Sequence, residues 1–553
     1  MIYYVATTGN DTTGDGSVGN PWLTLTKAET AGADGDTVNV GAGIFEEATY
    51  LTIAKQIAWV GAGLGVTFLR SNNNARVLYL NSTKTKSMTG ITIDGTSSGL
   101  TPSYLVEGSD VDQAMTFDEC GFVKGETSAL RLVSNMKGVV CNDCVFDAFT
   151  ETQIVHIAGG NAGFELNSCT INVPTGLTMN GVIYQSGAAT SGTFKIHDCD
   201  ITVLSNYSPI RMIGGGFADA EITDNRITVG TNNSRAIVNL LNMVDTCLVA
   251  RNTIIIPGTN TATNPIKCQS TVGTGPDCVY TIDDNIIETH NPDGYGILLG
   301  DEGGDINSKA AAFDGSFIRG NILRYPPYWG EAIGNAHAIM MGGNKNIFYE
   351  NNHVYGAAYA AACKQHGEAW TDGYIRNNVF ENCTYSVRMK GQSSIRCCNN
   401  VIINSGGMAG TSLSVTENGV GEDSENAFLR NNLCIRDADK VYEFMDTSFD
   451  TLDADYLGVY LTGTAQLGTE FPAATYDTLA EWQAATGHDL NGISGNPNIK
   501  VDYTIDASSI FYQKGVPVKG VTDIEDVSSD NLIVLAGAAT FSLDSPYKNR
   551  VPV

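Results

Sequence analysis

A short unit made of two polar residues, then Cys or Asn, then any residue and an apolar one recurs twelve times along this chain. No other feature of the sequence limits its fold so strongly. The unit reads DECGF at Cys120, NDCVF at Cys144, NSCTI at Cys169 and HDCDI at Cys199. It continues as TDNRI at Asn225, ARNTI at Asn252, DDNII at Asn285 and RGNIL at Asn321. The last four are ENNHV at Asn352, RNNVF at Asn378, CNNVI at Asn400 and RNNLC at Asn432. Successive markers lie between 22 residues (Asn378 to Asn400) and 36 residues (Asn285 to Asn321) apart. Helix-pair repeats keep their length because both helices must fit the next pair. A coil of short strands tolerates such variation, since its turns can lengthen into loops.

Between markers a second pattern recurs, apolar-X-apolar, bounded by Gly and Asn. It appears as ALRLV (129–133), IVHIA (154–158), VIYQS (182–186), PIRMI (209–213), AIVNLL (236–241) and PIKCQ (265–269). Later come GILLG (296–300), AIMMG (338–342), AACKQ (361–365) and SVRMK (386–390). Alternation of this length reads as strands with one face inward. The marker Asn residues are then rungs of an inward ladder whose carboxamides satisfy one another and the turn backbone. Cys120, Cys144, Cys169 and Cys199 become buried thiols filling the same place.

Composition agrees. The 553 residues exceed one ordinary compact core, while 61 Gly, 15 Pro and 17% charged residues suit a long repetitive β domain. Sixty acidic against 32 basic residues, a formal charge of −28, argue against a nucleic-acid partner, which needs a basic footprint. No apolar run reaches the length of a membrane span, and the start Met1-Ile2-Tyr3-Tyr4 has neither the basic nor the apolar region of a secretion signal. The odd number of cysteines, 13, and their marker positions argue for core packing over disulfides or metal ligation.

In each apolar-X-apolar strand the X side chain points outward, and parallel stacking at about 4.8 Å sets successive X residues in a column. The column reads Arg131, His156, Tyr184, Arg211, Asn239, Lys267, Leu298, Met340, Lys364 and Arg388. Two positions further on, a second column includes His366 and Lys390. On this alignment Lys364, His366, Arg388 and Lys390 form a compact tetrad on adjacent coils. Lys stacked over Arg at that spacing is unfavourable by about 1–3 kcal/mol. The tetrad therefore implies either an anionic ligand or neutralisation by Glu368, Asp372 or Glu381.

With these repeats in view, the chain resembles the right-handed parallel β-helix, or pectin-lyase-like, superfamily. YYVATTGNDTTGDGSVGNPWLTLTKA with GDTVNVGAGIFEE is similar to its N-terminal capping segment. YDTLAEWQAATGHDLNGISGNPNI with FSLDSPYKN is similar to its C-terminal closure. The resemblance implies an all-β, single-stranded right-handed parallel β-helix: a cap at 1–60, the solenoid at 61–436, and a closing module at 437–553 with one short helix ending at Gly487. That fold hosts lyases, hydrolases, epimerases and adhesins, so it does not fix an activity.

Two catalytic resemblances concern the tetrad. CKQHGEAWTDGYIRNNVFENCTYSVRMKG is similar to β-helix lyases that act on uronates, which implies Lys364 as base and Arg388 as acid or carboxylate clamp. It departs from them in having Met389-Lys390 where they carry His-Gly. His366-Gly367 with Arg388-Met389-Lys390 resembles polygalacturonases, yet AIMMGGNKN lacks their paired Asp. Asp301, Glu302, Asp305, Glu368 and Asp372 are the acids that could serve glycoside cleavage or a weak calcium site. No other metal and no organic cofactor is implied. His197, His290, His337, His353 and His488 sit singly. Tyr184, Tyr295, Trp329 and Trp370 could stack on sugar rings.

The resemblance extends to phage tailspikes. It implies a virion-associated or extracellular protein that binds, and could degrade, host polysaccharide. Arg131, His156, Tyr184, Arg211, Lys267 and Trp370 are then the binding residues, with Lys364, Arg388, His366 and Lys390 catalytic. The expected partners are an anionic polysaccharide, other virion proteins and two further copies in a homotrimer, with neither nucleic acid nor membrane. The alternatives are a secreted uronate lyase and a purely structural decoration protein.

Overall fold

The structure is a computed structural model. It describes residues 1–511 apart from 82–83, 97–101, 109–113, 134–137, 148–152, 159–162, 178–180, 187–189, 214–216, 232–234, 244, 258–263, 270–277, 290–293, 301–312, 326–336, 343–345, 365–372, 391–393, 406–408, 417–425, 446–450, 472–473 and 500–507. The chain divides into two compact units, one formed chiefly by Met1–Thr271 and the other by Val279–Val553.

Each unit is built from coils of short strands that add to three parallel sheets, here numbered in the order the chain visits them. In the first unit a coil runs Gly138–Asn142 in sheet 1, Val145–Asp147 in sheet 2 and Val155–Ile157 in sheet 3, before Gly163–Asn167 begins the next turn. These strands pair in parallel with their counterparts one coil on. The second unit repeats the plan with Tyr374–Arg376, Val379–Glu381 and Tyr385–Lys390, followed by Arg396–Cys398. Both are right-handed parallel β-helices, the hand that parallel crossovers adopt.

The marker residue sits in the corner between sheets 1 and 2. The residue before it is left-handed at every one of the twelve corners: Glu119, Asp143, Ser168, Asp198, Asp224, Arg251, Asp284, Gly320, Asn351, Asn377, Asn399 and Asn431, with φ between 51° and 66°. That conformation suits Asn, Asp and Gly, and explains the polar pair that opens the repeat. At Gly320 an added Cβ would lie 2.1 Å from Asp284 Oδ1, so no side chain fits. Arg251 is the outlier in type, and its guanidinium is held by both oxygens of Asp224 one coil back, at 2.9 and 2.7 Å.

The left-handed corner turns the marker side chain inward, where it closes a ladder. In the second unit Asn285 Nδ2 donates to Asn321 Oδ1 at 2.9 Å, Asn321 to Asn352 at 3.0 Å, Asn352 to Asn378 at 3.1 Å, Asn378 to Asn400 at 2.9 Å and Asn400 to Asn432 at 2.9 Å. The same oxygens accept backbone N–H groups, as Asn378 Oδ1 does from Asn352 N at 2.9 Å. The spare amide hydrogens go to sheet 1 carbonyls, Asn378 Nδ2 to Tyr349 O at 3.2 Å among them. In the first unit Asn225 donates to Asn252 at 2.9 Å, and Cys199 N passes the pattern on to Asn225 Oδ1 at 3.0 Å.

Thiols stand in for amides in the earlier coils. Cys120, Cys144 and Cys169 Sγ donate to the carbonyls of Met88, Phe117 and Cys141 at 3.3–3.4 Å, much as Asn378 does to Tyr349. All 13 cysteines are free and buried, and burial raises the pKa of Cys247, Cys268, Cys363 and Cys383, the last being pushed up to about 12. Such thiols are apolar fillers rather than nucleophiles.

Both ends are closed. Thr24 caps the helix Leu25–Ala31, which lies within the segment 1–60 read as a cap, and the buried Glu47 carboxylate accepts the Leu25 N–H at 2.8 Å. At the other end Gln466–Phe471 and Ala474–Tyr476 pair antiparallel and end sheet 3, while Ile493–Ser494 adds a last parallel strand to sheet 2. The expected helix is Leu479–Thr486, with a Thr478/Glu481 capping box and left-handed Gly487 behind it. Its fully buried Trp482 packs on Tyr442, Phe444 and Tyr476. Further along, Phe511 folds over the outer face of sheet 2 onto Val379, Val401 and Leu433.

Two predictions follow from the ladder and the closure. Asn378→Leu removes the acceptor of the buried Asn352 N–H and breaks the ladder on both sides, so urea unfolding should show a loss of about 3 kcal/mol, against about 1–2 for Cys144→Ala. Asp489 is 1% exposed, and its oxygens accept from Leu457 N at 3.2 Å and Trp482 Nε1 at 3.1 Å. Burial outweighs these bonds and lifts its pKa from 3.8 to about 6. A raised acid binds its proton more tightly in the fold. Its contribution is therefore full below about pH 4 and is lost as pH climbs through about 6, a change of roughly 3 kcal/mol. Asp489→Asn should remove that part of the pH dependence of the melting temperature.

Candidate functional site

The outer face of sheet 3 in the first unit carries the column read from sequence. The register pairs Arg131 with His156, His156 with Tyr184, Tyr184 with Arg211, Arg211 with Asn239 and Asn239 with Lys267. Two more rungs precede them, since Arg131 pairs with Glu107 and Glu107 with Tyr79. The alternation that buries Leu130, Leu132, Val155, Ile157, Ile183 and Ile210 forces these residues onto one outward line.

At rung spacing, planar side chains lie on one another. His156 and Tyr184 stack with centroids 5.6 Å apart and planes 24° from parallel, and the Arg211 guanidinium covers the other side of Tyr184 at 5.5 Å. Tyr184 is thus sandwiched between its neighbours in the column, both ring faces engaged. That corrects the expectation that Tyr184 stacks on a sugar, because no face is left for it. His156 Nε2 lies 2.9 Å from Ser186 Oγ. Burial, and after it the charge of Arg131, lowers the His156 pKa, favouring a neutral imidazole at physiological pH.

The upper end of the column is partly neutralised within the protein. Glu107, 7% exposed, accepts from Arg131 at 2.7 Å and pairs with Arg76 at 2.6 Å. The Arg76 guanidinium lies over Tyr79 at 4.5 Å and Tyr50 at 5.0 Å, and that of Arg131 over Tyr104 at 4.7 Å. Arg211 and Lys267 mark the cationic rungs further along.

In the second unit the register departs from the sequence alignment. Leu298 pairs with Met340 and Met340 with Ala362, and it is Ala362 that pairs with Arg388. Lys364 lies in the second column, paired with Gly342 and Lys390. The expected Lys364-over-Arg388 pair is therefore a Lys364–Lys390 pair, with Arg388 one coil on and two residues back. A two-residue slip keeps the same face outward, so alternation alone could not reveal it. His366 and Trp370 lie outside the described residues, as do Asp301, Glu302, Asp305, Glu368 and Asp372.

Arg388 itself is well anchored. Its Nη1 donates to Tyr359 Oη at 3.1 Å, and the guanidinium lies 5.2 and 5.4 Å from the Tyr359 and Tyr385 ring centroids. Those rings stack at 5.0 Å and 8°. The column continues with Ser414 and Glu443, Ser414 Oγ donating to Glu443 at 3.3 Å. Burial first, then Glu443, raises the pKa of Tyr385, which keeps it a neutral phenol.

Sequence reasoning missed a second ordered face, the outside of sheet 1 in the second unit. Phe317, Phe348 and Tyr374 stack at 4.8 and 5.3 Å, in register with Arg396 and Phe428. Alongside them Arg319 pairs with Asp283 and Arg376 with Glu350, and Arg430 lies over Phe428. The signal was present as an aromatic four residues before the markers Asn321, Asn352, Asn378 and Asn432. Among the described residues no group of three or more His, Cys, Asp or Glu is placed to hold a metal ion, and no helix is long and apolar enough to cross a membrane.

No family model matches this chain, and no curated protein sequence does. Solved structures do. An alginate lyase in complex with a trisaccharide is 12% identical and overlaps 90% of this chain and 96% of its own, with a TM-score of 0.39. The catalytic domain of an α-1,3-glucanase with nigerose is 9% identical over 89% of this chain and 68% of its own, at 0.31. Tailspike protein 3 of bacteriophage CBA120 is 12% identical over 86% and 62%, at 0.28.

The packing of His156 gives a spectroscopic prediction. Its imidazole should titrate below the usual histidine range by NMR, and Arg131→Gln should move it only part of the way back, because burial is the larger cause. A titration in the usual range, or one indifferent to Arg131, would contradict the stacked arrangement.

Proposed function

We propose that this β-helix protein binds extended polysaccharide along the outer face of sheet 3 in its first unit. The observation that carries the reading is the unbroken register Arg131, His156, Tyr184, Arg211, Asn239, Lys267, which sets hydrogen-bonding edges and cations on one line. A pyranose residue is about as long as one coil is high, so a glycan lying along the solenoid axis can meet a new rung with each sugar. Recognition is edge-on: phenol, imidazole, amide, guanidinium and ammonium groups reach hydroxyl and acidic groups, while the ring faces are used within the stack.

The setting favoured by the sequence resemblance belongs to the same proposal: a virion-attached, trimeric spike reading polysaccharide on a host surface. Cleavage is a separate matter. The uronate-lyase alternative asked for Lys364 and Arg388 on consecutive rungs of one column, and the register offers Ala362 there instead. Binding is therefore the better supported activity.

Edge-on binding and face stacking separate in one substitution. Tyr184→Phe keeps the ring sandwich and removes only the hydroxyl, and should weaken binding of a cognate oligosaccharide by about three- to tenfold in calorimetry, with the melting temperature unchanged. Affinity equal to that of the unmodified protein would mean that the Tyr184 edge takes no part.

A further inference from the structure

We infer that Ser186 and His156 act as nucleophile and base and remove small O-acyl groups, such as acetyl esters, from the glycan lying on this face. The choice of substrate rests on the reading of the sheet 3 column as a glycan site, whereas the chemistry stands on the pair itself.

Two lines of side chains meet here. The parallel ladder continues past the column, since Ala158 N donates to Leu132 O at 2.8 Å, Ser186 N to Ile157 O at 3.1 Å and Ile213 N to Gln185 O at 3.2 Å. The residues two positions after the column therefore form a neighbouring outward line, Val133, Ala158, Ser186 and Ile213. Val133, Ala158 and Ile213 are half-buried and apolar, while Ser186 is exposed. A hydroxyl thus stands in an apolar strip, a setting that suits the alkyl part of a short acyl group.

The hydroxyl is tied across to the column. Ser186 Oγ lies 2.9 Å from His156 Nε2, within reach for proton transfer. The stack on Tyr184, at 5.6 Å and 24°, fixes the imidazole plane, and with the ring hydrogen on Nδ1 its Nε2 accepts from the serine. Burial, and after it the Arg131 charge, favours the neutral ring, which is the form a base needs. Arg131 occupies the rung before His156, so an oxyanion forming beside the serine has positive charge at hand.

The reaction closes on these groups and water. Ser186 Oγ attacks the carbonyl carbon of a sugar O-acyl ester as its proton passes to His156 Nε2. The bond from that carbon to the sugar oxygen breaks, and His156 returns the proton to the oxygen, leaving a free sugar hydroxyl and an acylated Ser186. Water then attacks the acyl carbon, giving a proton to the same nitrogen, which passes it to Ser186 Oγ as the carboxylic acid leaves.

The ester p-nitrophenyl acetate tests the pair without any glycan. The full chain should release nitrophenolate, and Ser186→Ala and His156→Gln should each lower the rate about 100-fold or more. The rate should fall on acidification with a midpoint below the usual histidine range, as His156 takes up a proton. A fluorophosphonate should attach to Ser186, as located by peptide mass, and should fail to do so in His156→Gln. Both side chains lie on the outer face, and an unaltered melting temperature shows that the fold is intact.

Hydrolysis that survives Ser186→Ala is imidazole or general surface catalysis and overturns the inference, as does the absence of both turnover and labelling. O-acetylated xylan, gellan and alginate form the second arm, read as acetate released. If p-nitrophenyl acetate turns over through Ser186 while none of the three loses acetate, the glycan substrate is overturned and the pair stands. If an acetylated glycan binds, with Tyr184→Phe weakening it, yet keeps its acetate, the esterase is overturned and the glycan-binding face stands.

Discussion

The structure depends on one corner. Between sheets 1 and 2 a left-handed residue turns the next side chain into the core, where it must satisfy itself against the coils on either side. An Asn does this fully: its oxygen accepts from the preceding Asn, and its nitrogen donates onward and to a sheet 1 carbonyl. A Cys does it more weakly, through a thiol bond to the corresponding carbonyl, and fills the same space. Because buried amides left unpaired would each cost about 1–3 kcal/mol, the ladder fixes the register of successive corners and, through them, that of all three sheets.

A fixed register is what makes the outside of the molecule legible. The coil height that closes the Asn ladder also places outward side chains at stacking distance. Tyr184 lies between His156 and Arg211, Tyr359 on Tyr385, and Phe348 between Phe317 and Tyr374. Tyr184 and Phe348 have neighbours on both ring faces, so their edges are the parts left outward. A parallel solenoid with planar residues in register is thus inclined towards hydrogen-bonding recognition. A single aromatic between small neighbours would be needed for a sugar-stacking platform.

Much of this could be read from the sequence because the corner leaves a chemical signature. The Asn and Cys markers gave the coils, and the apolar-X-apolar strands gave the face and register of Arg131 through Lys267. The polar residue before each marker carried the left-handed conformation as well, though only the backbone made its role plain. What failed was the coil around Lys364. There AYAAACKQ offers small residues at several alternating positions, and a slip of two preserves every inside and outside assignment. Only the pairing of Ala362 with Arg388 fixes the count. The aromatic face of sheet 1 was missed for a different reason, since its residues sit beside the markers and were absorbed into the repeat.

Charge gives the last constraint. A chain with nearly twice as many acids as bases still sets several cations on one outward line. Glu107 draws two guanidiniums together at one end of the column, where all three side chains are partly or largely buried. Further along, the same coil height separates Arg211 from Lys267 by one uncharged rung. Two cations so spaced repel each other less than neighbours would. The coil height that stacks His156 on Tyr184 is therefore also the one that spaces the charges along the column.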